Sequence, residues 1–231
     1  MLNLLELLLF EIIIKIYSMK SKIGILGSGS VAKALAAGFL DQGHEVMIGS
    51  SDPNKLEEIK KTLTVKTGTF QQASAFGSIL VLAVKGSAAI KVCSNLNEED
   101  VQGKTIIDTC NPISDIPPVH GVLQYFTPQN DSLAAQIQRN QAGAHIVKGF
   151  NSVGSHSMYK PNFKDGKPSM FICGNDEKAK AEVADILDSF GWETEDMGSI
   201  EAAGPIESLC ILWCIRGFKD NQWSHAFKLL K

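Results

Sequence analysis

The sequence is short of the features that mark several functional classes. Basic residues are not in surplus: 22 Lys and Arg stand against 25 Asp and Glu, a formal net charge of -3. With a pI near 6.0, no basic stripe is available to neutralise a phosphate backbone, which sets nucleic acid aside as a partner. There is no C-x-x-C pair. The five cysteines, Cys93, Cys110, Cys173, Cys210 and Cys214, are odd in number and scattered, the usage of a reducing compartment, so a cytoplasmic location is expected. Cys210 and Cys214 would share a helix face, but no histidine or carboxylate cluster completes a metal set, and they read as small core residues. An uninterrupted membrane span is also missing. Residues 1–17 are rich in Leu and Ile, yet Glu6, Glu11 and Lys15 interrupt a run already shorter than the ~20 apolar residues a spanning helix needs. The basic leader and small-residue cleavage site of a secretion signal are lacking too. Residues 1–21 therefore read as an N-terminal extension, an over-extended start ahead of Met19 or a loosely docked helix, without stable membrane association.

What is present is an ordinary globular composition, 44% hydrophobic and 20% charged, long enough for one α/β domain and a small appended lobe. The organising stretch is Lys22 to Ala32. Ile23, Ile25 and Leu26 suit a strand buried on both faces, and Val31 to Leu40 carries apolar residues at helical spacing. Between them lies Gly27-x-Gly29-x-x-Ala32. In a dinucleotide-binding βαβ unit the first glycine permits the tight turn and the second makes room for a pyrophosphate. The third small residue lets helix and strand pack closely. Free N–H groups at the helix start then face the phosphates.

The second strand, ending at Gly49, is followed by Ser50-Ser51, with Lys55 a turn into the next helix. An NAD site usually places a carboxylate here to bind the ribose hydroxyls. Hydroxyls, backbone N–H groups and an ammonium hold a 2′-phosphate instead, which favours NADP; Asp52-Pro53 also caps the following helix well. Strands over residues 64–68, 79–84 and 105–108 alternate with helical stretches, a doubly wound pattern. Ligands then gather beyond the carboxyl ends of the strands, at Val84-Lys85-Gly86 and at Asn111, which suits a ribose or carboxamide but equally a turn before Pro112. Residues 115–131 read as a long irregular connection over the nucleotide face. A strand over residues 144–150 leads to Asn151, and His156 nearby is an acid/base candidate without a partner in sequence. From Pro168 the pattern repeats on a smaller scale, strand 170–173, helix 176–190, strand 192–196. Residues 206–215 are apolar on nearly every side, as in a helix covered on both sides, and a homodimer is expected.

Gly27-Ser28-Gly29-Ser30-Val31-Ala32, with Ala36 to Leu40 and Gly43 to Ser50, resembles the coenzyme F420-dependent NADP oxidoreductase family. Val147 to Gly154, Phe171 to Asp176 and Glu207 to Trp213 resemble later blocks of its bacterial members, and also the oxidoreductase domain of the related metalloreductases. The resemblance spans residues 22–231. It implies a Rossmann NAD(P)-binding domain, residues 22–155, with a small C-terminal α/β lobe, residues 156–231, which also holds the dimer element expected from residues 206–215. It further implies hydride transfer between NADP and a deazaflavin, F420, or a flavin such as FMN or FAD. On this sequence it implies Ser28, Ser30 and Val31 at the pyrophosphate, and Ser50, Ser51 and Lys55 at the 2′-phosphate. Ala83, Val84 and Asn111 would line ribose and nicotinamide. Many members carry Arg at the position of Ser51, and often Pro at that of Lys85.

Hydride transfer between two heterocycles asks for positioning and exclusion of water, so no catalytic side chain is named, and the nicotinamide is expected near Asn111 and Asn151. Two other readings share the glycine loop. One is a non-enzymatic NADP-binding redox sensor. The other is an imine or hydroxyacid reductase resembling pyrroline-5-carboxylate reductase, which needs a larger helical domain than the remaining chain supplies.

Overall fold

Short runs with apolar centres form the inner strands of the protein, and polar runs such as Lys66–Gly68 and Glu193–Asp196 form its edges, seen in a computed structural model that describes residues 20–128 and 130–231. Most of the expected N-terminal extension lies outside the described residues. The strands are β1 (Lys22–Leu26), β2 (Glu45–Gly49), β3 (Lys66–Gly68), β4 (Ile79–Leu82), β5 (Thr105–Asp108), β6 (His145–Lys148), β7 (Ser169–Gly174) and β8 (Glu193–Asp196). The helices are α1 (Ser30–Asp41), α2 (Pro53–Lys60), α3 (Phe70–Phe76), α4 (Gly86–Ser94), α5 (Glu98–Val101), α6 (Leu133–Asn140), α7 (Glu177–Phe190) and α8 (Ala203–Asp220).

Among the described residues, eight strands form one sheet in the order β3-β2-β1-β4-β5-β6-β7-β8. All neighbours run parallel except β6 and β7, paired antiparallel through Val147 with Gly174 and Lys148 with Cys173. Residues after 155 thus continue the same sheet, with β8 parallel to β7. Alternation along the strands splits the core into two layers. Ile23, Ile25, Val81, Ile107 and Val147 face α1, α2 and α7 with Phe39, Phe150 and Phe190. Leu26, Leu80, Leu82, Ile106 and Ile146 face α3, α4, α6 and the start of α8.

Caps set the helix starts. The Asp52 carboxylate accepts from Asn54 N and Lys55 N at the start of α2, at 3.0 and 3.4 Å. Thr69 and Gln72 close a capping box on α3. Asp176 caps α7, which ends on Gly191 in the left-handed region, φ 95°. The strand expected over residues 144–150 stops at Lys148, because Phe150 takes a left-handed φ of 57° and turns the chain toward Asn151. Within a single chain, among the described residues, α8 is covered on one side. Ile206, Cys210, Trp213 and Cys214 are buried, while Leu212 on the other side is 57% exposed. Its buried side is held by the C-terminal tail, where the His225 ring stacks on Trp213 at 4.9 Å and Ser169 N donates to Phe227 O at 2.9 Å. No helix of the described residues is long and apolar enough to cross a membrane.

Candidate functional site

β1 has β2 on one side and β4 on the other, so the chain leaves these two adjacent carboxyl ends in opposite directions and opens a crevice. Gly27 sits in it with φ +140°, and a Cβ there would lie 2.1 Å from Ala83 O, which no residue but glycine tolerates. Gly27 N donates to Gly49 O at 2.9 Å, tying the loop across to β2. Gly29 is different: it is exposed, and a Cβ there would meet nothing within 4 Å. Neither helix that opens on the crevice, α1 after Gly29 or α4 after Lys85, has a side-chain cap among the described residues. Their first N–H groups, at the positive end of the helix dipole, are the natural seat of an anion.

A cavity of about 300 Å³ continues from Val31 along Ala83, Val84 and Gly86 to Cys110 and Asn111. Its titratable neighbours are Lys85, Asp115 and Cys110. Lys85 Nζ and Asp115 Oδ1 pair with each other at 3.4 Å on the exposed rim. Burial, with the Asp108 carboxylate beside it, pushes the Cys110 thiol well above the ordinary range, and its Sγ donates to Val84 O at 3.3 Å. A protonated, hydrogen-bonded thiol is a packing group and not a nucleophile.

At the inner end Asn111 and Asn151 hold one another. Asn111 Nδ2 donates to Asn151 O at 2.8 Å, and Asn151 Nδ2 donates to Asn111 Oδ1 at 3.2 Å and Ile206 O at 2.8 Å. Asn151 is buried and Asn111 half-buried, so Asn111 presents the cavity wall and Asn151 stands behind it. At the outer end the Ser28 and Ser50 hydroxyls share a hydrogen bond of 2.9 Å, and Ser50 Oγ also accepts from Asp52 N at 3.1 Å. Ser30, Ser51 and Lys55 are exposed nearby in sequence. The Lys55 ammonium lies 3.8 Å from the Asp52 carboxylate, which offsets part of its charge. The structure thus groups Val31, Ala83, Val84 and Asn111 around one cavity, backed by Asn151, and joins Ser28 to Ser50. His156 is exposed on a short 3-10 turn beyond β6.

A buried ionic cluster that no sequence motif marks lies beneath Asn111. Lys148 Nζ lies 2.9 Å from Asp108 Oδ2 and 3.3 Å from Glu207 Oε1, with all three side chains at most 2% exposed, and it also donates to Cys110 O. Glu207 in turn accepts from Leu133 N and Ala134 N at the start of α6, at 3.1 and 3.0 Å. Burial works against the ammonium, and the Asp108 and Glu207 carboxylates more than offset it, so Lys148 titrates above the usual lysine range. The available signal was a lysine and an aspartate, each ending a strand directly after two buried aliphatic residues.

Residues 22–112 match the family model described as NADP oxidoreductase, coenzyme F420-dependent. A solved structure of a putative F420-dependent NADP reductase from an Arthrobacter species superposes with a TM-score of 0.85. It is 30% identical, covering 91% of this chain and 100% of that one. The chain belongs to the coenzyme F420-dependent NADP oxidoreductase family. Another relative is the F420-dependent NADP reductase of Methanocaldococcus jannaschii, 25% identical over 81% of this chain and 88% of that protein. The metalloreductase STEAP3 of Rattus norvegicus is 28% identical over 81% of this chain. The chain spans only 36% of that metalloreductase's length.

Proposed function

We propose that the chain transfers hydride between NADP(H) and a deazaflavin or flavin ring, with the dinucleotide lying along the crevice from Ser50 to Asn111. The observation that carries this reading is the uncapped start of α1 behind Gly27, opening on a cavity lined by Val31, Ala83, Val84 and Asn111. The crevice fits such a group: Gly27 brings backbone against Ala83, and Gly29 leaves its side open. When bound, the nicotinamide supplies the two-electron chemistry, and the protein supplies position and dryness.

Gly27, Ser28, Gly29, Ser30 and Val31 then hold the pyrophosphate through backbone N–H groups and hydroxyls. Ser50, Ser51 and Lys55 receive the 2′-phosphate, with the Ser28–Ser50 hydroxyl pair between the two sites. Ala83 and Val84 pack against the ribose side, and Asn111, held by Asn151, directs its amide at the carboxamide end. F420 is favoured over FMN or FAD because the Methanocaldococcus relative is an F420-dependent NADP reductase and the Arthrobacter structure is that of a putative one. The test is oxidation of NADPH by purified protein with F420, FMN or FAD. Turnover with F420 and not with the flavins is the expected result, and absence of turnover with all of them refutes the reading.

A further inference from the structure

The Lys148 cluster is the largest investment in buried charge among the described residues that the proposed function leaves unused. Burying an ammonium is costly until its partners offset the lost hydration, and a hydrophobic side chain would fill the same space between β5 and β6. What a hydrophobic residue cannot do is donate to a carbonyl, and Lys148 donates to the carbonyl of the residue just before Asn111.

The Cys110 peptide is gripped from every side. Its N–H donates to Asp108 Oδ1 at 2.9 Å, its carbonyl accepts from Lys148, and its thiol donates to Val84 O at 3.3 Å. The next carbonyl, Asn111 O, rests so close to Gly86 that a Cβ there would lie 2.0 Å away. Two lines then run from this turn to adjacent residues at the start of α8. Asn111 is joined through Asn151 to Ile206 O, and Cys110 O through Lys148 to Glu207. Glu207 also caps α6, so the direction of the Asn111 amide is coupled to two helices and two strands.

We propose that Lys148 is a positioning residue for the nicotinamide end of the site, acting through the Cys110 carbonyl and its Asp108 and Glu207 partners to fix the direction in which Asn111 presents its amide. The inference rests on the reading of the cavity as an NADP site. It separates the two halves of the cofactor, because the phosphate-binding residues 27–31 and 50–55 make no hydrogen bond to the cluster.

The test compares binding of NADPH and of adenosine 2′,5′-bisphosphate, which lacks the nicotinamide half, to the full chain by calorimetry. A neutral hydrogen bond from the Asn111 amide to the carboxamide, lost when the amide is misdirected, is worth up to about tenfold in affinity. Lys148→Met is expected to weaken NADPH about tenfold while leaving the bisphosphate within about twofold, and to diminish the fluorescence of bound NADPH, which reports the surroundings of its nicotinamide. Glu207→Gln, which keeps the shape and removes one counter-charge, is expected to move the same ratio in the same direction by a smaller factor, and it decides the matter if Lys148→Met does not fold. An unchanged ratio in folded protein, or equal weakening of both ligands, overturns the positioning role. Wild-type protein that binds neither ligand overturns the NADP reading itself.

Discussion

Exchanging each loop glycine for alanine separates folding from binding, because the two positions differ in what a methyl group would meet. At Gly27 the backbone lies at φ +140° and the new Cβ would be 2.1 Å from Ala83 O and 2.6 Å from Ala83 C. Holding an L-residue in such a region costs about 1–3 kcal/mol, and forcing the contact apart costs about 1–3 kcal/mol more. For a chain of this size, each kcal/mol lowers Tm by roughly 2–4 °C, so Gly27→Ala should lower it by about 5 °C or more. At Gly29 the backbone is ordinary, φ -80°, and the Cβ enters open space. The only folding cost there is the poorer N-cap, about 0.5–1 kcal/mol. The methyl group would nevertheless occupy the side from which a pyrophosphate must approach the first turn of α1, so Gly29→Ala should weaken NADPH more than tenfold, about 1.4 kcal/mol. Thermal unfolding and calorimetric titration of both variants make the assay. A Gly29→Ala protein that binds NADPH as the wild type does, or a Gly27→Ala protein with unchanged Tm, would falsify the account of the loop.

Three further outcomes follow from the same geometry. Ser51→Arg supplies a planar guanidinium in place of a hydroxyl and should raise the preference for NADPH over NADH about tenfold, with the gain shrinking at high salt; equal effects on both cofactors in titrations would place the 2′-phosphate elsewhere. Burial lowers the pKa of His44 below its usual 6.5 while its Nδ1 accepts from Ser21 N at 3.1 Å. Its contribution to stability is therefore present above about pH 6.5 and lost as pH falls through the lower folded value; denaturant midpoints should decline in that window for wild type and decline less for His44→Gln. The exposed side of α8, centred on Leu212 at 57% exposure, is the surface expected to meet a second copy. Sedimentation should show a dimer that Leu212→Glu converts to monomer, and a monomeric wild type at micromolar concentration would refute that expectation.

Much of the architecture was legible along the chain because its signals are local. Ile23, Ile25 and Leu26 require burial on both faces, Gly27-x-Gly29 marks the turn, and Asp52-Pro53 and Asp176 announce helix starts through hydrogen bonds made within three residues. Residues at the carboxyl ends of parallel strands must share one edge of the sheet, so Val84 and Asn111 could be nominated for one site before any coordinates. Other features depend on partners remote in sequence. The Asn111–Asn151 pair and the Lys148–Asp108 ion pair each span 40 residues, and Glu207 reaches 74 residues back to cap α6. No spacing rule links such positions, since each side chain alone reads as a turn residue, a strand end or a polar residue in an apolar helix. Likewise, the antiparallel joining of β7 to β6 and the left-handed turn at Phe150 come from how the two core layers pack. The sequence by itself determined the strands, the glycine loop and the class of cofactor, because backbone propensity and burial pattern act locally. Only the tertiary structure decided which buried charges meet beneath Asn111, because charge pairing in a low-dielectric core depends on where distant elements come to rest.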